Sequence, residues 1–218
     1  LISVGGSSQP VIHSLNSQQP DYVIYFVSRT SRSVVRQEIE PALRFSPEDH
    51  DIIVTPDEQD LVVSVSALMN KLPELLENWN LSFDSVTGDY TGGTKTMSSA
   101  LVLALSGQRC LYSYVGGTVR DKDGLGVVID GREQLLHLGN PWDILAVEVL
   151  RDIRLMFNRC RFRVVQELAE RTAARVKVNR SFFQALQHIA EGFYYWDTFQ
   201  YRPAFGSLRQ GAGLLRPF

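Results

Sequence analysis

The sequence predicts an α/β protein: a Rossmann-like, mostly parallel sheet with helices on both faces and an appended β-hairpin, followed by a helical region. Three observations carry this. Short apolar runs alternate with longer amphipathic ones through the first two-thirds of the chain. Glycine-rich turns stand between strand-like and helix-like segments. After Asn140-Pro141 the chain is almost all helical in pattern.

Taken in order, Leu1 to Val4 predicts a strand, followed by Gly5-Gly6-Ser7-Ser8 and a helix over 10–16. Tyr22 to Val27 (YVIYFV) is apolar throughout, as a strand buried on both faces should be, and it ends in the polar loop Ser28-Arg29-Thr30-Ser31. Ile52 to Val54 predicts a third strand. Leu61, Val65, Leu68, Leu72, Leu75, Leu76 and Trp79 fall at helical spacing. Phe83 to Val86 reads as a strand, followed by the glycine-rich 89–94, a helix over 95–105 and a strand over 109–114. Gly124 to Ile129 and Gln134 to Leu138 bracket Asp130-Gly131, a dipeptide that favours a hairpin turn. Repeated β-loop-α units imply parallel strands, right-handed crossovers and ligands at the carboxyl ends of the strands. Helices over 142–157, 161–175 and 179–198 complete the reading, with a domain boundary near Asn140 that separates 1–140 from 141–218.

The 218 residues are 44% hydrophobic and 21% charged, an ordinary globular composition with enough apolar residues for a core. A net charge of −2 argues against a general binder of long nucleic acid or of anionic membranes, since both need a basic excess. Any phosphate must be caught locally. Cys110 and Cys160 are the only cysteines, too few for a disulfide framework or a thiolate zinc site, so a reducing cytoplasm is expected. No apolar run approaches the ~20 residues of a membrane span, and no signal peptide is recognisable. The chain opens at Leu1, inside a predicted strand and without a methionine, which suggests a piece of a longer protein.

The most informative segment is Thr87-Gly88-Asp89-Tyr90-Thr91-Gly92-Gly93-Thr94-Lys95-Thr96-Met97-Ser98, between a strand and a helix. Its glycines let backbone N–H groups turn toward a ligand, and a helix N-terminus adds partial positive charge. Thr91 and Thr94 add hydroxyls and Lys95 a point charge. The bland alternative is a tight turn in which Thr91 or Thr94 caps the helix. Against it, Lys95 falls in the first helical turn, where a cation opposes the helix dipole unless an anion visits. The spacing is not that of a Walker loop, which has one residue fewer between glycine and lysine. Gly5-Gly6-Ser7-Ser8-Gln9-Pro10 repeats the arrangement after the first strand, with a capped helix start as its alternative. Ser28 and Arg29 end the second strand on the same sheet edge. Together the three loops make a polar shelf.

Asp89-Tyr90-Thr91-Gly92-Gly93-Thr94-Lys95-Thr96-Met97 resembles the D-x-T-G-G-T-K-x-M signature of CARF domains, the ligand-sensing modules of type III CRISPR ancillary proteins. The Gly-Gly-Ser opening and the segment from Val115-Gly116-Gly117 to Val128 are similar to that family as well, so the resemblance spans about residues 1–140. Tyr194-Tyr195-Trp196-Asp197-Thr198-Phe199 and the Ala204 to Leu208 stretch resemble the helical region that follows the domain in one CARF subfamily. The resemblance implies a homodimer with cyclic tetra-adenylate, ahead of hexa-adenylate, lying across paired sheet edges. Residue by residue, it implies that Thr91, Gly92, Gly93, Thr94 and Lys95 meet phosphates and riboses, and that Ser7, Ser8 and Gln9 lie near adenine or phosphate. Gly6, Ser28, Arg29 and Met97 complete the expected ligand-binding set. The helical appendage would lead toward an effector in the full-length chain, which the bound ring controls allosterically.

No effector enzyme is visible in the sequence. Arg132 to His137 and Arg44 to His50 fit the Arg-x4–6-His spacing of HEPN ribonucleases, but Glu133 and Phe45 stand where a polar residue should follow the arginine. Pro56-Asp57 lacks the acidic-x-lysine partner of restriction-type nucleases, and His13, His50, His137 and His188 are too scattered for a zinc deaminase. Two enzymatic alternatives remain: a ring nuclease that slowly cleaves its own cyclic ligand, and a mononucleotide-dependent enzyme, the latter without a G-x-G-x-x-G in the first loop. Asn140-Pro141-Trp142-Asp143 is expected to cap and pack a helix. The aromatic cluster Phe193, Tyr194, Tyr195, Trp196 and Phe199 is expected in a core or a dimer interface.

Overall fold

The computed structural model describes residues 1–117 and 133–215. They form two compact units, 1–106 with 110–139, and 107–109 with 140–215.

The first unit is a six-stranded sheet in the order β3-β2-β1-β4-β5-β6: β1 (Ile2–Val4), β2 (Tyr22–Val27), β3 (Asp49–Val54), β4 (Thr87–Asp89), β5 (Leu111–Gly117) and β6 (Glu133–Leu138). The first five strands run parallel and β6 pairs antiparallel with β5. This is the Rossmann-like, mostly parallel sheet that the sequence predicts. The turn expected at Asp130-Gly131 and the strand expected at Gly124 to Ile129 lie outside the described residues.

Helices α1 (Gln9–Gln18), α2 (Leu61–Asn78) and α3 (Lys95–Ala104) cover the two faces, with short helical pieces at Arg32–Val34, Val35–Ile39 and Glu40–Ala42. The period-two geometry of β2 divides the core between them. Val23, Tyr25 and Val27 pack with Val11, Leu15, Val35 and Ile39 on the α1 face. Ile24 and Phe26 point the other way and pack with Leu68, Leu72, Met97 and Leu101 under α2 and α3. Both sides are closed, which is why this strand has no polar position.

One predicted strand is corrected. Phe83–Ser85 is a single 3-10 turn, and the strand beside β1 and β5 is Thr87–Asp89. Apolar content misplaced it: Gly88 packs directly against the Leu105 and Leu101 side chains, which would have to shift to admit a Cβ, and these neighbours supply the burial.

The second unit consists of α4 (Pro141–Asn158), α5 (Phe162–Ala173), α6 (Arg180–Asp197) and α7 (Tyr201–Leu215). Ala146, Ile153, Val165, Ala169, Phe183 and Ala190 form its core. Small residues bring α6 and α7 together: a Cβ on Gly192 would come within 2.6 Å of the Leu208 side chain. Asp143, in the first turn of α4, accepts the amides of Lys177 and Val178 at 3.0 and 3.1 Å, which ties the segment before α6 to α4. The aromatic cluster divides: Phe193 packs on Phe157 and Phe162, ring centroids 5.1 and 5.5 Å away, whereas Trp196 is 59% exposed and Phe199 78%.

Candidate functional site

The sheet order changes direction between β1 and β4: from β1 the chain builds outward through β2 and β3, then returns to β4 on the other side. In open α/β sheets the loops at such a switch point diverge and leave a crevice at the carboxyl ends of the strands. Here those loops are Gly5-Gly6-Ser7-Ser8, after β1, and Tyr90-Thr91-Gly92-Gly93-Thr94, after β4. A crevice of about 270 Å³ opens between them and the loops that follow β2 and β3. Val4, Gly5, Gly6, Ser28, Thr30, Ser31, Val34, Glu58, Gly93, Thr94 and Met97 line it. That volume is below the ~300–1,000 Å³ of a site enclosing a whole drug-sized ligand, and suits one part of a larger one.

The turn after β4 is held from below. The Gly92 carbonyl accepts the hydroxyls of Ser3 at 2.7 Å and Ser98 at 3.0 Å. In a trans peptide the carbonyl and the next N–H point in opposite directions, so drawing the Gly92 oxygen inward turns the Gly93 N–H toward the loops. Gly93 adopts φ +82°, a left-handed conformation that favours glycine. A Cβ on Gly5 would come within 2.7 Å of the Gly93 nitrogen, so only a bare backbone lets the two turns meet.

Thr94 is the N-cap of α3: its Oγ1 accepts the Met97 amide at 3.1 Å and donates to the Glu58 carbonyl at 2.8 Å. The capping role weighed for Thr91 or Thr94 thus falls to Thr94, and one side chain both caps the helix and ties the β3 loop to the turn after β4. Lys95 is the first residue of α3 and exposed. Its charge stands where the helix dipole is positive, so an anion between the amides and the ammonium would relieve both.

The remaining expected residues take distinct places. Gly6, Ser7 and Gln9 are exposed around the first turn. Ser8 is buried, and its hydroxyl donates to Glu38 Oε2 at 2.6 Å. Ser28 is a buried part of the crevice wall, with its hydroxyl 2.8 Å from that of Thr30 and 3.1 Å from that of Ser31. Arg29 is exposed beside the crevice lining rather than part of it. Thr91 is half-buried and its hydroxyl accepts the Val115 amide at 2.8 Å. Met97 is buried and forms part of the lining.

A buried carboxylate holds the turn after β4 from beneath. Asp89, 2% exposed, accepts the Ser14 hydroxyl at 2.5 Å, the Ser113 hydroxyl at 2.8 Å and the Thr91 amide at 2.9 Å. Gln18 Nε2 donates to the same two serine hydroxyls at 2.8 and 3.3 Å. The network joins α1, β4 and β5 beneath the turn. Asp89 was visible as the first letter of the signature; Ser14 and Ser113 carried no signal. Next to it Tyr90 and Tyr114 stack, centroids 5.3 Å apart, and burial, with smaller contributions from Tyr114 and Asp89, pushes the Tyr90 phenol pKa up.

A second cavity, of about 280 Å³, lies at the amino ends of β1, β2 and β4. Asp21 and Asp89 are on its wall and no lysine or arginine is, the wrong charge for a phosphate. Among the described residues no group of three or more His, Cys, Asp or Glu is placed to hold a metal ion, and no helix is long and apolar enough to cross a membrane.

Residues 145–215 match the Csm6 6H domain family. Among solved structures, Enterococcus italicus Csm6 bound to cyclic hexa-2'-fluoro-hexa-dAMP is similar with a TM-score of 0.60 at 11% identity, over 91% of this chain and 54% of that one. This chain therefore spans about half the length of that Csm6. Can2 from Sulfobacillus thermosulfidooxidans, in complex with cyclic tetra-adenylate, matches over 93% of this chain and 67% of its own at 13% identity, with a TM-score of 0.39, too low to bear on the fold. No curated protein sequence matches the chain.

Proposed function

We propose that the chain is a CARF-domain protein, with a stretch like the Csm6 6H domain behind the sheet unit, and that it senses a cyclic oligoadenylate second messenger of type III CRISPR defence. Two copies would bind one ring across their paired sheet edges, and the ring would control an effector elsewhere in the full-length chain. The observation that carries the reading is the meeting of two glycine turns at the switch point. There Gly93 and the Thr94-capped start of α3, whose first residue is Lys95, border a crevice sized for part of a larger ligand.

A ring of nucleotides presents alternating phosphates and bases, and the site offers both kinds of surface. Backbone N–H groups and Lys95 suit the phosphates; the crevice, with Val34 and Met97 on its wall, suits a base. A two-fold ligand fits an isologous dimer because each half of the ring meets the same residues. Of the two ring sizes, tetra-adenylate is proposed first and hexa-adenylate is the alternative.

The test is equilibrium binding of labelled cyclic tetra- and hexa-adenylate, followed by chromatography of the recovered ligand. Saturable binding with return of an intact ring supports the sensor. A ring returned as linear fragments moves the reading to a ring nuclease. No binding of either ring refutes it.

A further inference from the structure

Among the described residues that line the crevice, Glu58 is the only ionisable one. It is half-buried, and its backbone is fixed at the cradle because the Thr94 hydroxyl donates to its carbonyl at 2.8 Å. The rest of the wall is hydroxyls, glycines and apolar side chains. A carboxylate here is a liability for phosphate binding, since like charges repel strongly in a partly desolvated cleft. It therefore divides the site by charge: phosphate toward Lys95 and the Gly93 amide, and away from Glu58.

What a carboxylate favours is a hydrogen-bond donor, to which it is an acceptor at both oxygens. On an adenine ring the exocyclic 6-amino group is such a donor, and at the Watson–Crick edge it lies beside the N1 acceptor. We propose that Glu58 is a specificity-determining residue, whose carboxylate accepts the 6-amino group of an adenine seated in the crevice. This rests on the cyclic-oligoadenylate reading and adds to it a reason for adenine over other bases.

The test is a double-mutant cycle between Glu58 and that amino group. The probes are cyclic tetra- and hexa-adenylate and the corresponding rings built from purine riboside, which lacks only the 6-amino group. Removing one charge-assisted hydrogen bond lowers affinity by roughly tenfold or more. The wild-type chain should thus prefer the adenylate ring by about that factor. Glu58→Ala should bind both rings within about twofold of each other, and Glu58→Gln, which keeps an acceptor oxygen without the charge, should fall between. Loss of preference in Glu58→Ala with partial restoration in Glu58→Gln supports the assignment. An undiminished preference in Glu58→Ala overturns it while leaving the sensor standing, and failure of the wild type to bind any ring overturns both.

Discussion

Asp89→Ala removes the acceptor on which three donors converge beneath the cradle. Asp89 is 2% exposed, so the Ser14 and Ser113 hydroxyls and the Thr91 amide have little water to turn to. A hydrogen bond to a charged partner contributes about 1.5–3 kcal/mol, and each donor left unsatisfied costs about 1–3 kcal/mol. These figures are not additive within one network, and Gln18 already engages both serine hydroxyls. The expected loss is about 3–5 kcal/mol, which lowers the unfolding midpoint of a chain this size by about 6–20 °C. Asp89→Asn keeps one oxygen for the Thr91 amide and turns an NH2 toward the serines, so it should cost about half as much. The assay is thermal and urea unfolding of both variants, with a Ser14→Ala cycle to isolate the pairwise coupling, expected at about 1–3 kcal/mol. A loss under 1 kcal/mol in Asp89→Ala would show that the network does not hold the turn in place.

Three further outcomes follow from the same geometry. Lys95→Ala should weaken binding of a cyclic oligoadenylate by roughly tenfold or more and leave the unfolding midpoint nearly unchanged, since the side chain is exposed; unchanged affinity in a titration would remove Lys95 from the cradle. Trp196→Ala should cost about 1 kcal/mol or less in urea unfolding, because the indole is 59% exposed and its T-shaped contact with Tyr201 is the main interaction lost; a loss of several kcal/mol in the isolated chain would return it to the core. Tyr25→Phe should leave stability level or raise it by about 1 kcal/mol: the phenol oxygen is buried with no hydrogen-bond partner among the described residues, and burial, followed by the Glu40 carboxylate, pushes its pKa well above the ordinary value. A clear destabilisation would show that the hydroxyl is bonded.

Much of the fold was legible because its central elements obey local rules. YVIYFV is a strand closed on both faces, and the apolar spacing from Leu61 marks α2. The turn after β4 was legible for a similar reason: glycines, a capping threonine and a helix start stand in consecutive residues. β4 was not, because Thr87-Gly88-Asp89 has no apolar residue and owes its burial to Leu105 and Leu101 across the turn. Ser14 and Ser113 stand 75 and 24 residues from Asp89, and Glu58 reaches the crevice only through the fold of the β3 loop, so no local pattern marked them. The aromatic run from Phe193 shows the converse limit: helical spacing marks an apolar face and leaves open what covers it.

On the proposed function, the two glycine turns and the crevice between them hold one half of a cyclic oligoadenylate. Calorimetric titration of the purified chain with cyclic tetra- and hexa-adenylate tests it most directly, because the stoichiometry reports how many chains share a ring. One of the rings should saturate the protein at one ring for every two chains, with the affinity lowered roughly tenfold or more in Lys95→Ala and the stoichiometry kept. One ring per chain, or no heat with either ring, would contradict it.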